Sequence, residues 1–159
     1  MEKKNDWSLE LSEYIKQGEP SKVEKTKMWE TAIGLQAVDG LEPSKYLIKT
    51  AKEHIEGNIN IDEVKKRITE YYEAENSRKD FEKESEEADK VAVRITEILS
   101  EKTFNFSLTE MLNIHKRLFK GIIDKAGEFR DYNFTKKEWV LNGDTVIYSS
   151  FETIKDTLE

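Results

Sequence analysis

Few residues of this 159-residue chain have the types and spacing that catalysis needs. Two histidines, His54 and His115, are present, and cysteine is absent, so disulfides, thiolate zinc sites and cysteine nucleophiles are excluded. The two histidines are far apart in sequence, which argues against a histidine-rich metal site. Carboxylates are abundant, but the sequence marks none of them with an apolar pocket. We therefore predict no catalytic residue and no metal ligand on this chain.

His115 is the strongest single candidate for a base or a ligand. It lies on a predicted helix face with Leu112, Leu118 and Phe119, however, and a histidine in that setting usually packs. The sequence also has no glycine-rich phosphate loop, no Ser-His-Asp order, no His-Glu-x-x-His and no calcium-binding loop. We interpret His115 as a half-buried packing residue.

Composition narrows the possible partners. The chain is 37% charged with two prolines, which favours long, solvent-exposed helices. A net charge of -7 repels phosphate backbones, so nucleic acid is not expected as a partner. No segment has the apolar length of a signal peptide core or of a membrane helix, and we expect a cytoplasmic protein without a membrane partner.

Hydrophobic spacing and caps predict a series of amphipathic helices in the first half of the chain. A capping box that starts at Ser21 predicts a helix over residues 22–39, which Gly40 ends with a left-handed cap. Ser44 and Asn60 each begin a further amphipathic helix. Helices this short bury little alone, so the three are expected to form one compact unit.

A change of composition follows this unit. Residues 73–89 are almost wholly charged and polar, which is typical either of an acidic docking surface or, more commonly, of a solvated helical linker. We interpret the run as a linker and place the domain boundary there. An apolar face then begins at Ala88 and leads into a second helical core. At the other end of the chain, residues 1–20 predict a short, frayed element.

The second half of the chain changes from helical to β periodicity. Ser107 begins a capping box, and Gly127 ends the helical pattern. Residues 138–148 contain two runs of β-formers around Asn142-Gly143, and such a pair is the strongest short signal for a β-hairpin. The hairpin has two interpretations: a small flap over a helical core, or an edge to which an extended peptide adds by main-chain hydrogen bonds.

From about residue 106 to 158 the order of these features resembles that of the Fic family of protein AMP-transferases. The helix that contains His115 is followed by an Ala-Gly-x-x-Arg turn at Ala126, Gly127 and Arg130, and then by the hairpin. The resemblance implies a flap that lies over the active site and clamps the target segment by strand addition. The residues that match this flap are Glu138, Trp139, Val140, Leu141, Thr145, Val146, Ile147 and Tyr148.

The upstream helices are similar to the small VbhA-like antitoxin domain that is often fused ahead of Fic domains. The similarity covers Trp29, residues 32–41, Pro43-Ser44 and Tyr46-Leu47. Antitoxins of this kind carry Ser/Thr-x-x-x-Glu-Gly/Asn, whose glutamate pairs with a catalytic-loop arginine and blocks the γ-phosphate of ATP. Asp39 and Gly40 align with the end of that pattern, with Leu35 at the Ser/Thr position. Asp39 is either a shortened inhibitory carboxylate or merely the residue before a helix cap.

The resemblance also assigns the chemistry to a motif that this chain does not contain. In the family, His-Pro-Phe-x-x-Gly-Asn-x-Arg supplies the base, the Mg²⁺ ligand and the phosphate-binding arginine. Nothing in the 159 residues matches it, so we expect no AMP transfer by this chain alone and assign ATP and Mg²⁺ to the complete enzyme.

These patterns predict a mainly α protein with four segments. They are a frayed segment over 1–20, a VbhA-like helical domain over 21–75, a linker and connecting helix over 76–105, and an incomplete Fic-type core with its hairpin over 106–159. The expected function is target docking and regulation in a Fic-type AMP-transferase, with the target bound through the flap and the catalytic portion through the helix over 22–39. The alternatives are an antitoxin-like module that inhibits a separate Fic partner, and a clipped product with no function.

Overall fold

A computed structural model describes residues 6–74, 81–101, 105–137 and 141–158 of the chain. The fold is mainly α-helical, as predicted, and contains a small antiparallel hairpin. It divides into two compact units, residues 1–103 and 104–159. The elements are α1 (Asp6–Gln17), α2 (Pro20–Val38), α3 (Lys45–Ile55), α4 (Ile61–Glu73), α5 (Phe81–Ser100), α6 (Leu108–Phe119), β1 (Thr135–Lys137), β2 (Thr145–Ile147) and α7 (Ile154–Leu158).

Helix α2 lies at the centre of the first unit. It packs against α1, α3 and α5, while α4 packs against α3 and α5. Each helix presents an apolar stripe at helical spacing to this shared core, and burying one large side chain contributes about 1.5–3 kcal/mol. The largest fully buried apolar side chains are Trp29, Leu11, Ile33, Leu47, Ile55, Ile68, Val64 and Val91.

The predicted starts of three helices are confirmed by their caps. The Ser44 hydroxyl oxygen accepts a hydrogen bond from the Leu47 N–H at 3.0 Å, which begins α3. Asn60 caps α4 and Ser107 caps α6 in the same way, with donor to acceptor distances of 2.9 and 3.1 Å. Gly40, with φ +76°, follows the end of α2 as expected for a left-handed cap.

The start of α2 differs from the prediction. The helix begins at Pro20, with Glu19 at the N-cap position, and the Glu19 side chain makes no capping hydrogen bond. Proline suits the first position of a helix because its φ is already helical and it has no N–H to satisfy. The capping box expected at Ser21 therefore does not form, and the helix starts two residues earlier than expected.

Helix α1 replaces the frayed element that we expected near the N-terminus. Leu11 is completely buried, and α1 packs against α2. The Tyr14 hydroxyl donates a hydrogen bond to Glu56 at 2.7 Å, and burial beside this carboxylate raises the pKa of Tyr14 to about 12. One inward-facing leucine and one tyrosine dock the helix, although the sequence around them is polar.

Helix α5 belongs to the first unit, which corrects both the predicted linker and the predicted domain boundary. Ala88, Val91 and Ala92 are buried, and α5 packs against α2 and α4. The apolar stripe that we expected to lead into a second core thus completes the first one. The division between the units falls at residues 103 and 104.

The buried carboxylate of Asp89 fastens α5 to two other helices. It accepts hydrogen bonds from the Ser44 N–H at 2.9 Å, the Ser44 hydroxyl at 2.5 Å and the Tyr72 hydroxyl at 2.7 Å. Burial raises the pKa of Asp89 and outweighs the opposing effect of these bonds, while burial and the carboxylate raise that of Tyr72. A buried carboxylate needs such donors, and here they come from residues 45 and 17 positions away.

The second unit contains α6, the hairpin and α7. Thr135 pairs with Ile147, Lys136 with Val146 and Lys137 with Thr145. We expected the first strand to begin at residue 138, but it begins at Thr135. The predicted Asn-Gly turn is confirmed, since Asn142 and Gly143 have φ of 56° and 87°.

Burial separates the two units sharply. No side chain that the structure describes between residues 105 and 157 is buried, whereas the first unit has a continuous apolar core. Phe106 is 93% exposed and Met111 45% exposed. The second unit is held together by specific polar and aromatic contacts rather than by a filled interior.

Candidate functional site

The Ala-Gly-x-x-Arg segment, residues 126–130, is built onto helix α6 by His115. The Nδ1 atom of His115 accepts a hydrogen bond from the Gly127 N–H at 2.8 Å, and its ring lies 5.0 Å from that of Phe119. The prediction of a half-buried packing histidine is confirmed. Because the nitrogen that faces the segment is already an acceptor, His115 positions this segment, which we call the signature turn.

Gly127 is required by both backbone and space. Its φ is +84°, a conformation that side chains rarely adopt. A Cβ at this position would lie 2.5 Å from the Cβ of Lys116 and 3.1 Å from the carbonyl oxygen of Leu112. The backbone of the signature turn thus lies directly against α6, and only glycine permits that approach.

Arg130 connects the signature turn to the hairpin. Its guanidinium donates hydrogen bonds to the carbonyl oxygens of Tyr132, at 2.9 Å, and Ser149. The same group lies 4.8 Å from the centre of the Phe134 ring, a cation–π arrangement. A planar guanidinium can make these contacts together, whereas a lysine ammonium has no such fork. The sequence predicts Arg130 only as part of a motif, and the structure adds its contacts.

Two further contacts close the base of the hairpin. The Phe134 and Tyr148 rings stack 4.5 Å apart, and the Asn133 side chain accepts a hydrogen bond from the Phe151 N–H at 2.8 Å. Sequence reasoning missed Asn133 and Phe134, although aromatic residues on both sides of a turn are a recognisable signal for cross-strand pairing.

An ion pair spans the signature turn on its outer side. Lys125 pairs with Asp131, and the ammonium group lowers the pKa of the aspartate. Both side chains are more than half exposed, so this pair adds little stability. The turn is positioned mainly by His115 and Arg130.

The predicted flap residues are only partly described. Glu138, Trp139 and Val140 lie outside the described residues. Ile147 is 84% exposed, Leu141 47% and Tyr148 38%. Within the described part of the hairpin, each strand pairs only with the other, so both have an outer edge. An exposed edge with apolar side chains is the geometry that strand addition uses.

The other predicted site is the end of α2 in the first unit. Asp39 and Gly40 are exposed, and the Asp39 N–H bonds to the Gln36 carbonyl oxygen at 3.0 Å. Among the described residues the Asp39 carboxylate has no hydrogen bond or ion pair. Leu35, one helical turn earlier, is 51% exposed. Asp39 and Leu35 therefore present a carboxylate and an apolar side chain to solvent.

The opposite, apolar face of α2 is covered by neighbouring helices. Trp29 and Ile33 are completely buried, and Gln36 is 7% exposed. Helices α1, α3 and α5 cover this face within the first unit. A partner that binds α2 must use the face of Leu35 and Asp39.

Trp29 is fixed in this core by His54. The Trp29 indole N–H donates a hydrogen bond to Nδ1 of His54 at 3.1 Å, and the Lys25 ammonium donates to the His54 carbonyl oxygen at 3.0 Å. Burial, together with the nearby Lys25 charge, lowers the pKa of His54 from 6.5 to about 4. His54 is therefore neutral at physiological pH and serves as a packing acceptor.

In the part of the chain that the structure describes, neither a metal-binding cluster nor a membrane-spanning helix is present. No three His, Asp or Glu side chains there are grouped closely enough to hold a metal ion. Over the same residues, no helix has the length and apolar character needed to cross a membrane. The sequence also lacks the motif to which the resemblance assigns ATP and Mg²⁺.

Comparisons with protein-family models, with curated proteins and with solved structures found no match for this chain. The family resemblance thus depends on the residue pattern of the signature turn, the hairpin and α2.

Proposed function

We propose that this chain is the regulatory and target-docking part of a Fic-type protein AMP-transferase that works in the cytoplasm. The complete enzyme would transfer AMP from Mg·ATP to a hydroxyl side chain of a target protein and release pyrophosphate. In this proposal the second unit contributes the flap and the first unit contributes the antitoxin-like helix α2. The chain by itself transfers no AMP, because none of its residues matches the catalytic motif.

The observation that carries the proposal is the linkage made by Arg130. In the sequence, the Ala-Gly-x-x-Arg segment and the hairpin are merely neighbours in the order that resembles the family. In the fold, the Arg130 guanidinium binds the carbonyl oxygen of Ser149, beside the hairpin, and lies over Phe134. A turn and a hairpin joined in this way act as one element, as a flap with a defined position requires.

The exposure of the hairpin gives further support. Ile147 is 84% exposed although it is a large apolar residue, and exposed apolar side chains beside a free strand edge are typical of binding sites. A target segment that adds to this edge would gain main-chain hydrogen bonds and would cover Ile147. Such binding selects an extended backbone more than a particular side chain.

The first test is the coding sequence downstream of residue 159. We expect a His-Pro-Phe-x-x-Gly-Asn-type motif there, and an open reading frame without it would refute the leading proposal. The longer product should then label proteins of a cell lysate with radioactive AMP from ATP. Ile147→Glu should lower that labelling about tenfold, because a carboxylate replaces an apolar contact at the strand edge. Lys120→Glu, a charge change at an exposed position outside the hairpin, should leave it unchanged.

A second candidate function is an antitoxin-like module that binds and inhibits a separate Fic protein. It is favoured by one observation, the exposed pair Leu35 and Asp39 at the end of α2. An inhibitory carboxylate must be reachable by the partner's arginine, and an adjacent apolar residue would supply contact area.

Binding to an intact Fic domain, measured by calorimetry, tests this second function. Leu35→Glu should abolish binding, and Asp39→Ala should relieve inhibition while binding persists. Lys27→Glu, at an exposed position on the same helix, is the matched control. Trp29→Ala is unsuitable because Trp29 is completely buried. Binding that is indifferent to Leu35, or absent from the unaltered chain, excludes this function.

A further inference from the structure

A cleft of about 510 Å³ lies in the first unit, between α1 and the start of α3. Its volume falls within the range of roughly 300–1,000 Å³ that small-molecule sites occupy. Its apolar surface comes from Trp7, Pro43 and Ile48, and Ile48 is 8% exposed. None of these residues belongs to the signature turn, the hairpin or the exposed end of α2.

The cleft has a positive rim on an acidic protein. Lys45, Lys49 and Lys52 line it at helical spacing, so they share one face of α3. Lys52 is neutralised by an ion pair with Glu10 across the cleft. Lys45 and Lys49 have no hydrogen bond or ion pair among the described residues and are exposed. Two ammonium groups are therefore available here, although the whole chain carries a net charge of -7.

Glu42 is the remaining charged residue of the cleft. It offsets one of the two available lysines, which leaves a local charge of one positive unit. A ligand with a single negative charge would balance this site, whereas a multiply charged phosphate would meet repulsion from Glu42. The electrostatics thus favour a monoanion.

Trp7 supplies the aromatic wall of the cleft. Its indole and the Pro43 ring line the same cleft, and an aromatic side chain packs well against the flat face of another ring.

We propose that this cleft binds a small aromatic monoanion, a carboxylate or sulfonate carried on a flat ring system. The anionic group lies between Lys45 and Lys49, and the ring packs on Trp7, Pro43 and Ile48. The charge of the site matches the anionic group of this ligand class, and its apolar wall matches the ring. The site is independent of the proposed Fic-type function.

The test uses naphthalene-2-sulfonate as the probe and the full 159-residue chain, followed by the indole N–H resonances in ¹H–¹⁵N NMR spectra. The Trp7 resonance should move and saturate as the probe is added. The Trp29 resonance should stay in place, because its N–H is bonded to His54 inside the core. A Trp7 resonance that does not move up to about 5 mM probe would overturn the proposal.

Charge variants make the test specific. The double variant Lys45→Gln with Lys49→Gln should weaken binding about tenfold, because two exposed charge contacts are lost. The pair Lys27→Gln with Lys120→Gln removes the same charge from exposed positions outside the cleft and should bind as the unaltered chain does. Equal weakening in both pairs would mean that only net charge matters, and the proposed site would be refuted.

A neutral analogue separates charge from hydrophobic contact. Naphthalene-2-sulfonamide has the same ring and similar oxygen atoms without the full negative charge, and should bind at least tenfold more weakly. Equal affinity of the two compounds would refute the role of the lysines. An unchanged Trp29 resonance in each variant verifies that the first unit is folded.

Discussion

The buried pair of Trp29 and His54 predicts how the stability of the first unit depends on pH. His54 accepts a hydrogen bond from the Trp29 N–H through Nδ1. Protonation of Nδ1 would turn it into a donor, and this buried hydrogen bond would be lost. In the folded chain its pKa lies at about 4, against an ordinary value of 6.5. Between these values the unfolded chain binds more protons than the folded chain. The stabilisation is thus fully present above pH 6.5 and is lost as the pH falls towards 4.

The size of the effect follows from that pKa difference. At about 1.4 kcal/mol per pH unit, lowering the pH from 7 to 4.5 should remove about 2.5 kcal/mol of unfolding free energy through His54 alone. Asp89 acts in the opposite direction, because its raised pKa gives a contribution that is lost as the pH rises. A control that differs only at position 54 isolates the contribution of the histidine to the pH dependence of stability.

The matched control is His54→Asn. The asparagine side-chain oxygen can occupy the position of Nδ1 and accept the Trp29 N–H, but the amide does not titrate. Urea unfolding at pH 7, 6, 5 and 4.5, followed by the Trp29 indole resonance, reports the stability of the first unit in both proteins. The unaltered chain should lose about 2.5 kcal/mol more than His54→Asn over this range. Parallel stability curves would refute the assigned role of His54.

Three further results are expected. Asp89→Ala should lower the unfolding free energy of the first unit by about 3 kcal/mol in urea titrations, because it leaves three donors without their acceptor. Asp89→Asn retains an acceptor oxygen and should lower the unfolding free energy by less than half of that amount. Gly127→Ala should speed hydrogen exchange of the amide at position 127, because the added methyl group breaks the close contact with α6. The control Gly121→Ala, at φ +79° with open space, should lower the unfolding free energy by only about 1 kcal/mol and leave the Gly127 amide protected. Arg130→Lys should weaken NMR cross-peaks between Phe134 and its stacked partner, and unchanged cross-peaks would contradict the linkage.

Local signals in the sequence predicted local structure well. Ser44, Asn60 and Ser107 cap helices where expected, because a capping hydrogen bond depends on residues only three positions apart. The Asn142-Gly143 turn forms for a similar reason, since both residues tolerate positive φ. The exception is Ser21, whose predicted capping box does not form because the helix already begins at Pro20.

Long-range packing was not predictable from the same signals. Asp89 lies in a charged run and resembles a linker residue, yet it is completely buried. Its hydrogen-bond donors come from the N-cap of α3 and from α4. Nothing near position 89 in the sequence indicates those donors. Leu11 is likewise completely buried, although the polar residues around it in α1 predict a frayed segment.

The candidate site was predicted in part. The pattern of Gly127 and Arg130 identified the signature turn, but their roles depend on contacts with Lys116 and Ser149, which no spacing rule reveals. The cleft beside Trp7 gave no sequence signal. Its lysines look like common surface residues, and only the fold brings Trp7 and Glu10 of α1 to the same cleft.

The double role of Ser44 bears on how the protein is made. This residue starts α3 through its hydroxyl oxygen and gives two donors to Asp89, so the packing of α3 against α5 involves a residue synthesised 45 positions later. At about 5–20 residues per second, the ribosome takes several seconds to deliver α5 after α3. During that interval the side of α2 that packs on α5 has no cover from α5 in the nascent chain. The first unit can therefore complete its core only after α5 has been synthesised.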